Sequence, residues 1–142
     1  MIDSDGVHLT CNYFAPVEAV FDAWVNKELI RKWLFVGPKS EIVQVEMDVR
    51  VQGKFSILEQ EHVSGDYIEH YGTYLYIDRP RKLAFTLFVP KHFEGETTVE
   101  ISILPTDAGS ELTFTQTGVL RTVTESSWKK MLFQLQLTLE NQ

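Results

Sequence analysis

The sequence contains very little cysteine. Cys11 is the single cysteine among 142 residues, so no disulfide can form within the chain. A chain without disulfides suits a reducing compartment, and a cytoplasmic location is the simplest expectation. Cys11 alternates with apolar residues as in a strand, and no neighbour in sequence would lower the pKa of its thiol. This pattern favours a small core residue over a reactive nucleophile.

Positive charge and long apolar runs are also scarce. Thirteen Lys and Arg residues stand against 20 Asp and Glu residues, which gives a formal net charge of -7. Nucleic acids and anionic membrane surfaces bind to basic faces, so both are disfavoured as partners. No apolar run approaches the ~20 residues of a membrane span, and residues 1–6 do not resemble a signal peptide. We therefore expect neither nucleic-acid binding nor membrane insertion.

Motifs that would indicate a metal, a nucleotide or a nucleophile are missing too. His8, His62, His70 and His92 show neither the His-Glu-x-x-His spacing nor an accompanying cysteine pair. No Gly-x-Gly-x-x-Gly or Gly-Lys-Ser/Thr loop occurs. The pair at residues 126–127 fits the start of a helix better than a catalytic serine, because no base lies beside it. The sequence thus predicts no metal site and no cofactor.

What the chain does contain is a regular succession of apolar patterns. Alternation predicts seven strands, at residues 7–14, 41–49, 53–62, 67–77, 83–89, 97–104 and 110–118. Helical spacing predicts two short helices after the first strand, at residues 17–24 and 29–34, and one long helix at 122–140. Short connections favour an antiparallel meander. We predict one α+β domain over residues 1–142, with a curved antiparallel sheet of about six or seven strands around the C-terminal helix.

The long helix has two unequal faces. Phe133 and Leu137 project from one side, which favours either scattered exposed side chains or a weak homodimer contact. The opposite side is a continuous apolar face, as expected for a helix that lies across a sheet. Its members are Trp128, Met131, Leu132, Leu135 and Leu139.

Several stretches, taken in order, resemble a known family. They are Pro-Val-Glu-Ala-Val-Phe-Asp-Ala-Trp at residues 16–24 with Trp33, Asp-Val-Arg-Val-Gln-Gly-Lys-Phe at 48–55, residues 72–86, and Gly-Ser-Glu-Leu-Thr-Phe-Thr-Gln-Thr-Gly at 109–118. This order resembles the activator-of-heat-shock-protein-ATPase homologue (AHSA-type) family of the START-like, or SRPBCC, superfamily. Two positions depart from the family pattern: Gln52, where the first glycine of a Gly-Gly pair is common, and Ser127, where glycine is usual.

The resemblance implies a helix-grip fold but little about activity. The superfamily includes lipid carriers, polyketide cyclases, antibiotic self-resistance proteins and chaperone activators, and no catalytic motif transfers to this chain. A single long helix over a curved sheet tends to enclose a cavity. The leading hypothesis is therefore a non-enzymatic or weakly enzymatic protein that binds a small hydrophobic or aromatic molecule between sheet and helix.

Candidate ligand-binding residues are those expected on the inner face. Phe55 belongs to the apolar face of its strand, and the amide of Gln116 shares the parity of Leu112 and Phe114. A buried amide must be hydrogen-bonded, to protein, water or ligand. Five aromatic residues combine an apolar body with one polar tip, as pocket linings often do, although core packing also explains most of them. They are Trp24, Trp33, Tyr74, Tyr76 and Trp128.

Glu59 and His70 are the only candidates for chemistry. If Ser64-Gly65 forms a two-residue hairpin turn, residues whose numbers sum to 129 face one another. That pairing sets Phe55 opposite Tyr74, Ile57 opposite Gly72 and Glu59 opposite His70. A carboxylate beside an imidazole can orient it as a general base. The same pair is also compatible with an ordinary polar contact at a strand end.

Two alternatives to the binding hypothesis follow from these observations. The first is a protein-interaction module that acts like a chaperone-ATPase activator, which only the family resemblance implies. The second is a cyclase- or hydrolase-type enzyme that uses Glu59 and His70, which requires both side chains to face the interior.

Overall fold

The computed structural model describes residues 6–141, with the exception of the side chain of Val123. The prediction for residues 1–6, that they form no signal peptide, falls almost wholly outside the described residues. Along the chain come β1 (Val7–Tyr13), α1 (Val17–Val25), α2 (Lys27–Trp33), β2 (Ser40–Met47), β3 (Lys54–Glu61), β4 (Tyr67–Asp78), β5 (Lys82–Leu87), β6 (Thr97–Pro105), β7 (Ser110–Thr117) and α3 (Arg121–Glu140). The predicted α+β architecture is confirmed.

The strands form one antiparallel sheet in the order β1-β7-β6-β5-β4-β3-β2. Strands β2 to β7 are a simple meander because each pairs with the next along the chain. The first strand joins the far edge by pairing with β7, where Val7 lies opposite Gln116. The inner face is apolar, and α3 lies against it with Trp128, Leu132 and Leu135 buried.

The two short helices begin and end at residues whose chemistry explains the boundaries. Pro16 precedes α1, where its fixed φ suits a helix start. The side chain of Asn26 then caps α2, because its Oδ1 accepts hydrogen bonds from the backbone N–H groups of Glu28 and Leu29 at 2.9 and 3.2 Å. The indole of Trp33 donates to the carbonyl of Ala23 at 3.0 Å and fixes α2 against α1.

Two β-bulges interrupt the predicted alternation. In β2 the register shifts between Ile42 and Gln44, so that Ile42 and Val45 are both buried while Val43 points outward. In β4 it shifts between Tyr74 and Tyr76, which reverses the faces beyond the bulge. An extra residue on one strand turns every later side chain to the other face. Tyr76, predicted on the inner face, is consequently 51% exposed.

The β3–β4 hairpin has a longer turn than the sequence predicts. The N–H of Glu61 donates to the carbonyl of Asp66, which leaves a four-residue connection at 62–65. The predicted pairing is therefore wrong by two residues: Phe55 lies opposite Gly72, and Ile57 lies opposite His70. A shift of two residues keeps each side chain on its face, so Glu59 and His70 still point to the same side.

Two apolar side chains project from the outer surface of α3. Phe133 and Leu137 are 59% and 36% exposed on the face that points away from the sheet, and the homodimer contact stays a prediction.

Cys11 is half-buried on the inner face of β1, and burial raises the pKa of its thiol despite a hydrogen bond with Tyr13. Within residues 6–141, no helix is both long and apolar enough to span a membrane.

Candidate functional site

A cavity of about 680 Å³, open to solvent, lies between the inner face of the sheet, α3 and the segment that follows α2. Its polar wall includes Glu59 from β3, His70 from β4 and Gln116 from β7. The wall also contains Lys32, His92, Thr124, Ser127, Lys130 and Gln134, and the rest of it is mostly aliphatic or aromatic. Its apolar members are Phe35, Val36, Leu87, Val89, Phe93, Trp128 and Met131.

The predicted ligand-binding residues divide into three groups. Glu59, His70, Gln116 and Trp128 line the cavity. Tyr76 lies on the outer surface because of the β4 bulge. The other four are buried in the core and are not part of the cavity wall. They are Trp24, Trp33, Phe55 and Tyr74.

The buried aromatic residues support the cavity from below. The ring of Trp24 stacks with Phe114 and with Trp128, at centroid distances of 6.3 Å for both pairs, and meets Trp33 edge-on at 4.7 Å. Such pairs contribute beyond the apolar area that they bury. These contacts fix the position of Trp128, which is buried but still part of the cavity wall.

Gln116 belongs to a closed hydrogen-bond network. The indole N–H of Trp128 donates to its Oε1 at 2.8 Å, and its Nε2 donates to the hydroxyl of Thr97 at 3.1 Å. The Thr97 hydroxyl donates in turn to the carbonyl of Leu87 at 2.7 Å. All of these groups are buried, so each hydrogen bond replaces one that water would make. We call this set the Gln116 network; it ties α3 to the sheet.

Glu59 and His70 form the second polar group in the wall. Nε2 of His70 lies 3.0 Å from Oε1 of Glu59, with side chains only 5% and 12% exposed. The hydroxyl of Ser40 donates to Oε2 of Glu59 at 2.6 Å, and the N–H of Gly37 donates to that hydroxyl at 3.1 Å. We call this set the Glu59–His70 network. Both oxygens of the carboxylate are thus occupied by donors.

Electrostatics favour an ionised Glu59 beside a neutral His70. Burial raises the pKa of Glu59, but hydrogen bonds from His70 and Ser40 outweigh it, so the net pKa lies below the ordinary value. Burial lowers the pKa of His70 more than the hydrogen bond and charge of Glu59 raise it. Because an ionised carboxylate only accepts, Nε2 carries the ring proton and Nδ1 is an acceptor.

Phe35 holds the imidazole from one face. The two rings are nearly parallel, 9° apart, with centroids separated by 3.9 Å. Phe35 has a φ of 60°, a left-handed conformation that is uncommon for a bulky residue. Its N–H lies 3.2 Å from the sulfur of Met131 on α3. Strained backbone of this kind occurs often at functional sites.

His70 carries one polar atom that no partner satisfies. Nδ1 is buried and has no hydrogen-bond partner among the described residues. The indole N–H of Trp24 shares that condition, but Trp24 lies in the core and does not line the cavity. Buried polar atoms are rarely left unpaired in folded proteins. Among buried side-chain atoms of the described residues, Nδ1 of His70 is therefore the one in the cavity wall that has no partner.

No feature of the sequence indicated Phe35 or Ser40. Both lie in or next to the irregular segment between α2 and β2, where neither the helical nor the strand period applies. His92, whose ring centroid lies 6.5 Å from that of His70, follows β5 in a similar irregular segment. The only available signal was the Gly37-Pro38 break, which predicts a turn but not the side chains that meet there.

With this geometry in place, the comparisons with known proteins identify the family. The sequence model of the "Activator of Hsp90 ATPase homolog 1-like protein" family matches residues 14–140. The chain belongs to this family. No curated protein matches this chain at a significant level.

Several solved structures have a fold similar to that of this chain. Protein CV1439 from Chromobacterium violaceum has a TM-score of 0.85 at 24% identity, over 95% of this chain and 97% of that one. Protein NE0264 from Nitrosomonas europaea has a TM-score of 0.81 at 23% identity, over 96% and 94%. An AHSA1-like protein from Aeromonas hydrophila has a TM-score of 0.80 at 16% identity, over 96% and 92%. At these identities the likeness shows the helix-grip fold alone.

Proposed function

We propose that this family member binds a small, mainly apolar molecule in the cavity between the sheet and α3. The observation that carries the proposal is the cavity itself, about 680 Å³ and open to solvent, with a lining surface that is more apolar than polar. Small-molecule sites are usually concave, apolar and of this size. The rings of Phe35 and Trp128 pack edge-on against each other, with centroids 5.9 Å apart, and both line the cavity, which favours an aromatic ligand.

Apolar burial is the main source of affinity in such a site. Each square ångström of apolar surface removed from water contributes about 25 cal/mol. Part of that gain is offset by the lost freedom of the ligand and of the side chains that it orders. The core under Trp128 is already packed, so the protein itself has little ordering left to undergo on that side.

The proposal is tested by occupying the cavity from within. Val36 is partly buried in the wall, and Val36→Trp adds bulk inside it. The matched control, Phe133→Trp, adds similar bulk on the exposed face of α3. We expect Nile red fluorescence to rise with the intact protein and the control but not with Val36→Trp, at unchanged circular dichroism. Native mass spectrometry of freshly purified protein would reveal a retained ligand. Absence of dye uptake by the intact protein would contradict the proposal.

The Glu59–His70 network supports a second candidate, a cyclase- or hydrolase-type enzyme. A carboxylate that orients a neutral imidazole is the arrangement that a general base requires. Turnover of an aromatic ester or polyketide-like substrate should then depend on pH and vanish in His70→Ala. Activity that survives this substitution would contradict the enzymatic candidate while leaving the binding proposal intact.

A further inference from the structure

The polar atoms of the cavity wall differ in what they leave for a ligand. In the Gln116 network, Oε1 of Gln116 accepts from Trp128 and Nε2 donates to Thr97. In the Glu59–His70 network, both carboxylate oxygens accept, and Nε2 of the imidazole donates. Nδ1 of His70 alone has no partner among these atoms. Among the buried side-chain atoms of the described residues that line the cavity, Nδ1 of His70 is therefore the one acceptor without a partner.

The framework fixes how that acceptor is presented. Phe35 covers one face of the imidazole at a centroid distance of 3.9 Å, and Glu59 holds the Nε2 edge at 3.0 Å. Ser40 in turn holds Glu59, so the ring has little freedom to rotate. Preorganised groups bind a ligand with a smaller ordering cost than mobile ones. His70 lines the cavity, and Nδ1 is the ring nitrogen that the protein leaves unpaired.

We propose that Nδ1 of His70 accepts a hydrogen bond from a hydroxyl group of the ligand. Because Phe35, Phe93 and Trp128 also line the cavity, we propose a compact aromatic ligand of the phenol or naphthol class. This inference rests on the proposed binding function and specifies its ligand. No group of the described residues makes a hydrogen bond to Nδ1, so a ligand hydroxyl would supply the partner that this acceptor lacks. A methyl ether of the same shape has no proton to donate.

The matched ligands are naphthol and its methyl ether, methoxynaphthalene. We expect the intact protein to bind both, and to bind naphthol about 5- to 30-fold more tightly, as measured by intrinsic tryptophan fluorescence or calorimetry. Equal affinities would overturn the inference and leave the proposed function standing. Binding of neither molecule would contradict the proposed function, and the inference would fall with it.

Two side-chain amides separate the roles of the two ring nitrogens. The amide of glutamine reaches the position of Nε2, so His70→Gln keeps a donor to Glu59 but removes the Nδ1 acceptor. We expect this variant to bind naphthol and methoxynaphthalene equally. The amide of asparagine reaches the position of Nδ1, and His70→Asn should retain part of the naphthol preference. A full naphthol preference in His70→Gln would place the hydroxyl partner elsewhere and overturn the assignment.

A measurement on the intact protein keeps the test valid if His70→Gln does not fold. Nitrogen NMR of the His70 ring reports which nitrogen carries the proton and whether the other accepts a hydrogen bond. We expect a protonated Nε2, with an Nδ1 resonance that moves on addition of naphthol but stays in place with methoxynaphthalene. A protonated Nδ1 in the free protein, or equal responses to both ligands, would overturn the inference.

Discussion

The two polar networks in the cavity wall are alike in burial and opposite in completeness. The Gln116 network runs from the Trp128 indole through an amide and a hydroxyl to a backbone carbonyl, and every described member has a partner. The Glu59–His70 network also begins at a backbone group, the N–H of Gly37, but it ends at the unpaired Nδ1. A chain of hydrogen bonds that closes on the protein stabilises the fold, whereas the one that ends at Nδ1 leaves an acceptor for the ligand proposed above.

Breaking the Gln116 network should have the largest effect on the free energy of unfolding. Gln116→Leu preserves volume but leaves the indole N–H of Trp128 and the hydroxyl of Thr97 without their amide partner. We expect the free energy of unfolding to fall by about 1–3 kcal/mol, measured by urea denaturation. The naphthol preference should persist. If that preference is lost instead, the two networks are not independent.

A substitution in the Glu59–His70 network should change the free energy of unfolding by less. His70→Gln removes an unsatisfied acceptor and keeps a donor for Glu59, at the expense of the ring contact with Phe35. We expect the free energy of unfolding to change by about 1 kcal/mol or less. A loss as large as that of Gln116→Leu would show that the Glu59–His70 network is structural and would remove the contrast.

Lowering the pH should destabilise the protein through the Glu59–His70 network. Because burial lowers the pKa of His70, the unfolded chain binds more protons just below the ordinary value of 6.5, and stability falls as the pH falls through that window. The lowered pKa of Glu59 adds a second loss below its ordinary value of 4.5. One proton gives at most about 1.4 kcal/mol per pH unit. The charged or titratable groups around His70 are Glu59, Glu69 and His92, with Lys32 and Lys130 in the cavity wall.

The control for this pH dependence is a histidine outside the network. His62 is exposed in the turn between β3 and β4. In unfolding experiments from pH 7 to pH 5, His70→Gln should flatten the decline in stability, and His62→Gln should leave it unchanged. Identical pH profiles for the intact protein and His70→Gln would contradict the lowered pKa of His70.

The smallest effect belongs to the outer face of α3, which touches neither network. Phe133→Ser should change the free energy of unfolding by about 0.5 kcal/mol or less and leave dye uptake intact. Sedimentation at rising concentration tests the homodimer contact predicted for Phe133 and Leu137. A concentration-dependent mass that this substitution abolishes would support the dimer, and a constant monomer mass would contradict it.

The sequence predicts those parts of the fold and of the candidate site in which apolar residues are regularly spaced. Strands and helices follow periods of two and 3.6 residues, so all ten elements were predicted within a few residues of their observed ends. Glu59, His70 and Gln116 were placed on the inner face by the same rule. Tyr76 was misplaced because a bulge adds one residue to β4 and leaves no trace in the apolar pattern. Phe35 escaped because irregular backbone has no period.

The anchoring of α3 decides which wall of the cavity can yield. The helix is held through Trp128 in the Gln116 network and, one turn further, through its Leu132 carbonyl, which accepts from the hydroxyl of Tyr13 at 3.0 Å. Across the opening, Phe35 contacts α3 through a weak hydrogen bond to the sulfur of Met131 and an edge-on ring contact with Trp128. A ligand too bulky for the cavity should therefore displace the segment between α2 and β2 that contains Phe35. We expect that segment to move on binding while α3 stays in place.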